Sequence, residues 1–167
     1  LNIGKLRREE NILWSFAPHD ISVILMLLDE FPTEVRSFGG KYVQEGIYDT
    51  TLTTLDFASG VKAHIFVSWL HPFKEQKLVV VGNKKMAVFD DLTEEKLFLY
   101  PHRVEWRNRV PVAQKAESEV VPVEKVEPLK AESQHFLDCI AKGLTPKTNG
   151  NEGLRVLRVL SVCEESL

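Results

Sequence analysis

The order of apolar and polar residues divides this chain into a helical beginning, a central region of strands and a helical end. The first helix is predicted from about Pro18 to Glu30, because apolar residues recur there at intervals of three and four, at Ile21, Ile24, Leu25 and Leu28. Pro18 suits the first position of a helix, since it has no N–H group to leave unpaired. Phe31-Pro32 is expected to end the helix.

The centre of the chain changes to an alternating pattern, which is typical of strands with one face in a core. Residues 61–70 ("VKAHIFVSWL") place Val61, Ala63, Ile65, Val67 and Trp69 on one face, and the other face includes Phe66 and Leu70. Strands are also predicted in "TEVRSFGGKYV", "YDTTLTTLDFA" and "EKLFLY", and "KLVVVG" and "MAVFDD" indicate a hairpin. Residues 111–128 are predicted to be an extended connector with one edge strand.

Two helices are predicted at the end of the chain. The first runs from about Leu129 to Lys142, with Gly143 as its C-terminal cap, and its expected inward residues are Leu129, Phe136, Leu137 and Ile140. The second follows "TNGNE", with Asn151 as N-cap, and is expected to be nearly all buried along Leu154, Leu157, Leu160 and Ser161. The predicted fold class is therefore α+β, mainly an antiparallel β-sheet with helices packed on one face.

Composition narrows the classes of protein to which this chain can belong. The formal net charge of −3 argues against nucleic-acid binding, which needs a basic excess or a basic stripe. No apolar stretch reaches the length of a membrane span and no signal peptide is evident, which favours a cytoplasmic protein. Cys139 and Cys163 lie in separate predicted helices without a CxxC pair, and are expected to be reduced core thiols.

The usual cofactor motifs are absent from the sequence. There is no G-x-G-x-x-G, P-loop, H-E-x-x-H or calcium loop, and Gly39-Gly40 lies in a strand-like segment that opens no helix. No two histidines have metal-ligand spacing, so no metal site is predicted. The chain by itself has no recognisable means of binding a nucleotide cofactor.

His19 is the residue with the strongest physical case for reactivity. At the predicted helix start, the positive end of the helix dipole would disfavour imidazolium, and a neutral ring can take a proton from a substrate hydroxyl. Ser15 and Asn11 are expected to supply hydrogen bonds beside it. The alternative is a histidine that caps a helix in a polar niche and has no catalytic role.

Three segments resemble the C-terminal domain of the Gfo/Idh/MocA oxidoreductases: "NILWSFAPHDISVILMLL", "SWLHPFKEQKLVVVGNKKMAVFDD" and "EPLKAESQHFLDCIAKGLTPKTNGNEGLRVLRVL". The fold of that family's C-terminal domain is thus expected here. Within the family, "GKLRREENILWSFAPHDIS" is most similar to bacterial UDP-N-acetylhexosamine(uronate) 3-dehydrogenases of surface-polysaccharide synthesis.

The resemblance implies a substrate site built around His19. The catalytic histidine of the family falls on His19, and Arg7, Asn11, Trp14 and Ser15 are expected to bind a sugar or sugar nucleotide. Hydride would pass from a sugar hydroxyl carbon to NAD or NADP, held with a catalytic lysine in an N-terminal Rossmann domain. Ser15 and Ser22 stand where the family often has aspartates, which weakens the usual Lys-Asp-His arrangement.

The resemblance also sets expectations for organisation and partners. Residues 1–167 would form the substrate-binding and oligomerisation domain, with a Rossmann domain and the first strand of this domain preceding Leu1. The chain alone is then expected to hold no cofactor and to be inactive, and to form a homo-oligomer through its sheet face. The alternative is a non-catalytic dimerisation or ligand-binding module.

Overall fold

A computed structural model describes residues 6–167 and contains three helices and nine strands in that part of the chain. The helices are α1 (Ile12–Leu28), α2 (Pro128–Lys142) and α3 (Gly150–Glu165). The strands are β1 (Glu34–Gly40), β2 (Thr50–Asp56), β3 (Lys62–Ser68), β4 (Lys77–Val81), β5 (Met86–Asp90), β6 (Leu97–Tyr100), β7 (Arg103–Arg107), β8 (Val110–Gln114) and β9 (Glu119–Val121). All strand pairs are antiparallel, which confirms the α+β class.

The chain forms two compact units. Among the described residues, the first unit consists of residues 6–74 together with Gln134–Leu167, and the second unit is Glu75–Ser133. The boundary falls within α2. The predicted strands therefore do not form one continuous sheet. They divide into a three-stranded sheet, β1-β2-β3, in the first unit, and the sheets β4-β5-β6-β9 and β7-β8 in the second.

The core of the first unit lies between its sheet and the helices α1 and α3, which contact each other and one sheet face. The alternation predicted for residues 61–70 accounts for the β3 side of this core, since Ile65, Val67 and Trp69 are buried. Val61, expected on the same face, is instead 40% exposed because it precedes the strand. From α1, the core receives the predicted stripe of Ile21, Ile24 and Leu25.

A small polar cluster lies beneath α3. The hydroxyls of Ser37 and Thr53 are 2.8 Å apart on neighbouring strands, and both are buried. The Cys163 thiol of α3 faces these hydroxyls, and burial raises its pKa even though the two hydroxyls oppose that rise. Cys139 in α2 is also buried, and both cysteines are free, as predicted.

The helices of the C-terminal region differ from the prediction in which faces they bury. In α2, Leu129, Phe136, Leu137 and Ile140 are all more than half exposed, and Cys139 is the buried residue of the helix. In α3, Leu160 is buried, but Leu154, Leu157 and Ser161 are exposed. The buried residues of α3 are Val159, Leu160 and Cys163, because this narrow stripe is the side that meets α1 and β1.

The helix caps explain where α2 and α3 end and begin. Gly143 follows α2 with φ of +64°, the left-handed conformation that glycine adopts most easily, as predicted. The N-cap of α3 is Asn149, two residues before the predicted Asn151. Its side chain accepts hydrogen bonds from the backbone N–H groups of Asn151 and Glu152.

The second unit contains the predicted hairpin and one that the sequence did not reveal. Strands β4 and β5 pair from Lys77–Asp90 to Val81–Met86, as predicted. Strands β7 and β8 pair across a two-residue turn at Asn108 and Arg109, both with positive φ. The predicted connector at residues 111–128 thus contains most of β8 and all of β9, not one edge strand. No helix in residues 6–167 is long and apolar enough to cross a membrane.

Candidate functional site

Helix α1 begins six residues earlier than the sequence pattern indicated. Asn11 is the N-cap, and its side chain accepts a hydrogen bond of 3.3 Å from the Trp14 backbone N–H. The apolar residues Ile12, Leu13 and Ala17 continue the buried stripe through this first part of the helix. Pro18 is therefore inside α1, where its missing N–H leaves the Trp14 carbonyl without its usual helical donor.

This helix start changes the environment of His19. His19 is in the third turn of α1, so the argument that a helix N-terminus keeps its ring neutral does not apply. The residue is exposed, and among residues 6–167 no group makes a hydrogen bond to its ring. Ser15 lies one turn earlier on the same face of the helix. Desolvation raises the pKa of the neighbouring Asp20 carboxyl, and the charge of His19 opposes that rise.

An open cleft of about 440 Å³ lies beside the first turn of α1. It is built entirely within the first unit, from the segment before α1, the loop between β1 and β2, and the last turn of α3. The lining residues are Arg8, Glu9, Glu10, Asn11, Trp14, Gly46, Ile47 and Glu164. Two of the four predicted substrate-binding residues, Asn11 and Trp14, are therefore in this cleft.

The carboxylate of Glu164 joins α3 to both of these residues. Its Oε2 accepts a 2.7 Å hydrogen bond from the indole Nε1–H of Trp14, and its Oε1 accepts a 3.3 Å hydrogen bond from Asn11 Nδ2. The sequence reasoning missed Glu164, which is 150 residues from Trp14 along the chain. No local pattern distinguishes this glutamate from Glu165 beside it.

The other two predicted residues, Arg7 and Ser15, do not line the cleft but meet at Glu10. Ser15 Oγ donates a 2.9 Å hydrogen bond to Glu10 Oε1, and the Arg7 guanidinium forms an ion pair with the same oxygen. The backbone carbonyl of Arg7 accepts a 2.9 Å hydrogen bond from Gln44 Nε2, which ties this segment to the β1–β2 loop. The structure thus brings Arg7, Asn11, Trp14 and Ser15 to one region around the start of α1, with His19 two turns further along.

The β1–β2 loop is held in place by a buried aspartate. Asp49 is fully buried, and its Oδ2 accepts hydrogen bonds from the backbone N–H groups of Tyr42 and Val43, at 2.5 and 2.8 Å. Lys41 Nζ is 4.2 Å from the centre of the Tyr48 ring, a cation–π contact within the same loop. These contacts fix the loop that supplies Gly46 and Ile47 to the cleft.

A family model described as the GFO/IDH/MocA C-terminal domain matches residues 4–88, about half of the chain and including all of α1. The chain belongs to this family. No curated protein sequence matches the chain. The family is one of oxidoreductases, and the identification of the sequence as a member is confirmed.

Solved structures agree with this assignment. The chain is similar to UDP-N-acetylglucosamine 3-dehydrogenase GnnA from Acidithiobacillus ferrooxidans, with a TM-score of 0.83 and 21% identity over 99% of this chain and 52% of that protein. It is similar to a protein described as an oxidoreductase from Magnetospirillum magnetotacticum MS-1, with a TM-score of 0.76 and 27% identity over 97% and 52%. It is also similar to the aldose-aldose oxidoreductase from Caulobacter crescentus, with a TM-score of 0.70 and 20% identity over 94% of this chain and 45% of that protein. The chain spans about half the length of these proteins.

The described residues do not fit a nicotinamide dinucleotide. Residues 6–167 contain only antiparallel strand pairs, and so lack the parallel βαβ unit whose glycine-rich turn holds the pyrophosphate of such cofactors. Within the same residues, no group of three or more His, Cys, Asp and Glu side chains is placed to hold a metal ion.

Proposed function

We propose that this chain is the substrate-binding and self-association part of an NAD(P)-dependent dehydrogenase that acts on a sugar nucleotide in the cytoplasm. The observation that carries the proposal is the arrangement on α1, which lies wholly within the segment matched by the family model. Asn11 and Trp14 line a cleft at the start of this helix, and Ser15 and His19 follow on one face. The sugar-related dehydrogenases among the similar structures support this substrate class.

In this proposal, His19 is the proton acceptor. Oxidation of a sugar alcohol removes a hydride from carbon and a proton from the hydroxyl, and a neutral imidazole in an exposed position can take that proton. Ser15 donates its hydroxyl proton to Glu10, so its oxygen can accept a hydrogen bond on the same face of the helix. Because the described residues do not fit a dinucleotide, the nicotinamide that accepts the hydride belongs to another domain, and the chain alone is expected to be inactive.

Binding measurements test the substrate assignment. Titration of the chain with UDP-N-acetylglucosamine should raise its Tm and perturb the Trp14 indole signal in a nitrogen–proton correlation spectrum. NAD alone should do neither. A response to NAD without a response to the sugar nucleotide would contradict the proposal. No response to any sugar nucleotide would favour a non-catalytic module.

The role of His19 is tested in the full-length product of the gene. His19→Ala should abolish oxidation and leave sugar-nucleotide binding within about twofold, because the ring is exposed and contributes no packing to the core. His102→Ala is the matched control, since His102 lies in the second unit. Turnover at the wild-type rate in the His19→Ala enzyme would contradict the assignment of His19 as the proton acceptor.

The self-association part of the proposal rests on the open face of the β1-β2-β3 sheet. Phe38, Leu52 and Phe66 are directly opposite one another in the strand register and form an apolar row across all three strands. They are 63%, 40% and 48% exposed. A row of exposed apolar residues flanked by polar ones is typical of a protein interface, and a second copy of this chain presents the same row.

Light scattering coupled to size-exclusion chromatography tests this surface. Leu52→Lys places a charge at the centre of the apolar row and should convert the oligomer to a monomer. Leu92→Lys is the control, because Leu92 is similarly exposed, at 48%, but lies in the second unit. An unchanged mass for Leu52→Lys would show that the chain associates elsewhere.

A further inference from the structure

The hairpin formed by β7 and β8 stands apart from the other strands. Within residues 6–167, these two strands pair only with each other, across the two-residue turn at Asn108 and Arg109. A hairpin of two strands is marginally stable by itself, because it buries little apolar surface. This one is supported by ion pairs of 3.1 and 3.4 Å from Glu105 to Arg103 and Arg107. The hairpin is therefore ordered by its turn and by its own side chains.

The two faces of the hairpin differ in chemistry. Residues that are directly opposite on antiparallel strands share a face, so Val104 and Trp106 lie on the same side as Ala113 and Pro111. All four residues are exposed, Val104 by 61% and Trp106 by 70%. The opposite face carries Glu105 and its two ion pairs. A soluble hairpin usually turns its polar face to water, so an exposed apolar face with a tryptophan indicates a contact surface.

The backbone of β8 favours contact through this face over contact through the edge of the strand. The two-residue turn makes Arg107 and Val110 the hydrogen-bonded closing pair, so Trp106 and Pro111 form the next, non-hydrogen-bonded pair. A residue in such a pair directs its N–H away from the partner strand, and Pro111 has no N–H. The outer edge of β8 therefore lacks a donor at this position, which disfavours the addition of another strand.

The hairpin is basic, although the chain is acidic. Residues 103–114 contain three arginines and one glutamate, a net charge of +2, whereas the whole chain carries −3 and its remainder therefore −5. Two hairpins repel each other, while a hairpin and the rest of a second copy attract. Arg109 contributes its charge from the tip of the turn, where its φ is +66°, a conformation that glycine adopts more readily. A guanidinium is thus kept at the tip although the turn itself favours glycine.

We propose that the β7–β8 hairpin is a docking arm that places Trp106 and the arginines beside it on an acidic surface of a second copy of this chain. This contact is separate from the apolar row of the β1-β2-β3 sheet and goes beyond the proposed function. Two copies related by a two-fold axis exchange their hairpins, so each contact contains both arms. Four apolar residues per hairpin make a small interface, so we expect a Kd on the order of 10–100 µM.

Sedimentation velocity over a range of protein concentrations separates the two surfaces. The apolar row should pair the copies already at about 1 µM, and the hairpins should then double this mass towards four copies at several hundred micromolar, by mass action. Trp106→Ser should stay at the low-concentration mass, because truncation of a central tryptophan weakens such contacts by about 30-fold or more. Val110→Ser is the matched control. Val110 is 58% exposed in the same hairpin but lies on the opposite face, so its variant should double in mass like wild type.

Arg109→Gly distinguishes a lost contact from a lost hairpin. The substitution creates an Asn-Gly turn, which is favoured where both turn residues have positive φ, so the hairpin itself should become more stable. It also removes the cation from the tip, so the Kd of the doubling should rise about threefold at low salt. An increase in salt from about 50 to about 300 mM should weaken the doubling of wild type by a similar factor, because exposed charges are then screened.

The mass at low concentration tests the apolar row and the doubling tests the hairpin, so the two can fail separately. The docking arm is overturned if the wild-type mass does not rise with concentration, if Trp106→Ser doubles like wild type, or if Arg109→Gly and salt leave the Kd unchanged. Loss of doubling in Val110→Ser as well would also overturn it, because the apolar face would then not be what makes the contact. Binding of a DNA duplex that depends on Trp106, without any doubling, would overturn it in favour of a polyanionic partner.

Discussion

Leu160 and Leu157 have the same side chain and lie in the same helix, α3, but they differ in how far they are buried. Leu160 is 1% exposed and belongs to the core of the first unit, whereas Leu157, one turn earlier, is 48% exposed. Leu→Ala at a buried site loses the transfer free energy of the side chain and leaves a cavity, about 3 kcal/mol in total. At Leu157, where half the side chain is already in water, the loss should be about 1 kcal/mol or less.

Urea unfolding followed by tryptophan fluorescence measures this difference, because the buried Trp69 lies in the same unit. With a denaturant slope of about 2 kcal/mol per molar urea, Leu160→Ala should lower the unfolding midpoint by about 1.5 M. Leu157→Ala should lower it by about 0.5 M or less. Both changes have the same effect on helix propensity, so equal midpoint shifts would refute the assignment of the α1–α3 contact as the core.

Three further perturbations test separate features. Asn149→Ala removes the α3 N-cap and should lower the free energy of unfolding by about 1 kcal/mol in urea titrations. Asn149→Ser should retain most of the stability that the cap provides. An alanine variant as stable as wild type would contradict the role of Asn149 as the cap. The Cys163 thiol, with its pKa raised by burial, should react with a disulfide reagent at pH 8 at least about tenfold more slowly than in the urea-unfolded chain. Equal rates would contradict its burial. Hydrogen bonds from Ser59 lower the pKa of Glu30 in the folded protein. The stabilisation that the Glu30 carboxylate provides is therefore present above the carboxyl's ordinary pKa, and it is lost as the pH falls through the pKa of the folded state. Glu30→Gln should therefore lower Tm at pH 7, and its difference from wild type should shrink as the pH is lowered below the carboxyl's ordinary pKa. A difference that does not change with pH would argue against that linkage.

The strands could be predicted because alternation and burial agree along them. In β3, Ile65 and Val67 face the core and Phe66 faces away, as the pattern of residues 61–70 indicates. Strands β7 and β8 could not be predicted in the same way. Their turn uses Asn108-Arg109, not Asn-Gly, and the arginine adopts a positive φ that its sequence does not signal.

The start of α1 shows how a strong local signal can mislead. The sequence favours Pro18 as the first helical residue, since proline is common there and rare in helix interiors. The burial of Ile12, Leu13 and Ala17 against the core outweighs the cost of an interior proline. A better signal was available in Asn11, a good N-cap placed immediately before an apolar run.

The site residues that lie close together in the sequence could be predicted, whereas the residue that comes from a distant part of the chain could not. Arg7, Asn11, Trp14, Ser15 and His19 lie within thirteen consecutive positions, and the structure gathers them around the first turns of one helix. Glu164 reaches the same region from the other end of the chain. The single sequence contains no signal for such a pairing, because it depends on how α1 and α3 pack.

The pairing of Trp14 with Glu164 also constrains how the protein is made. At a synthesis rate of about 5–20 residues per second, the 150 residues between them take about 8–30 seconds to emerge. During that interval the apolar stripe of α1 has no α3 to cover it, while the second unit, whose residues are contiguous, can already fold. The cleft therefore cannot form before α3 has been synthesised, and its early half is the segment that a chaperone would be expected to hold.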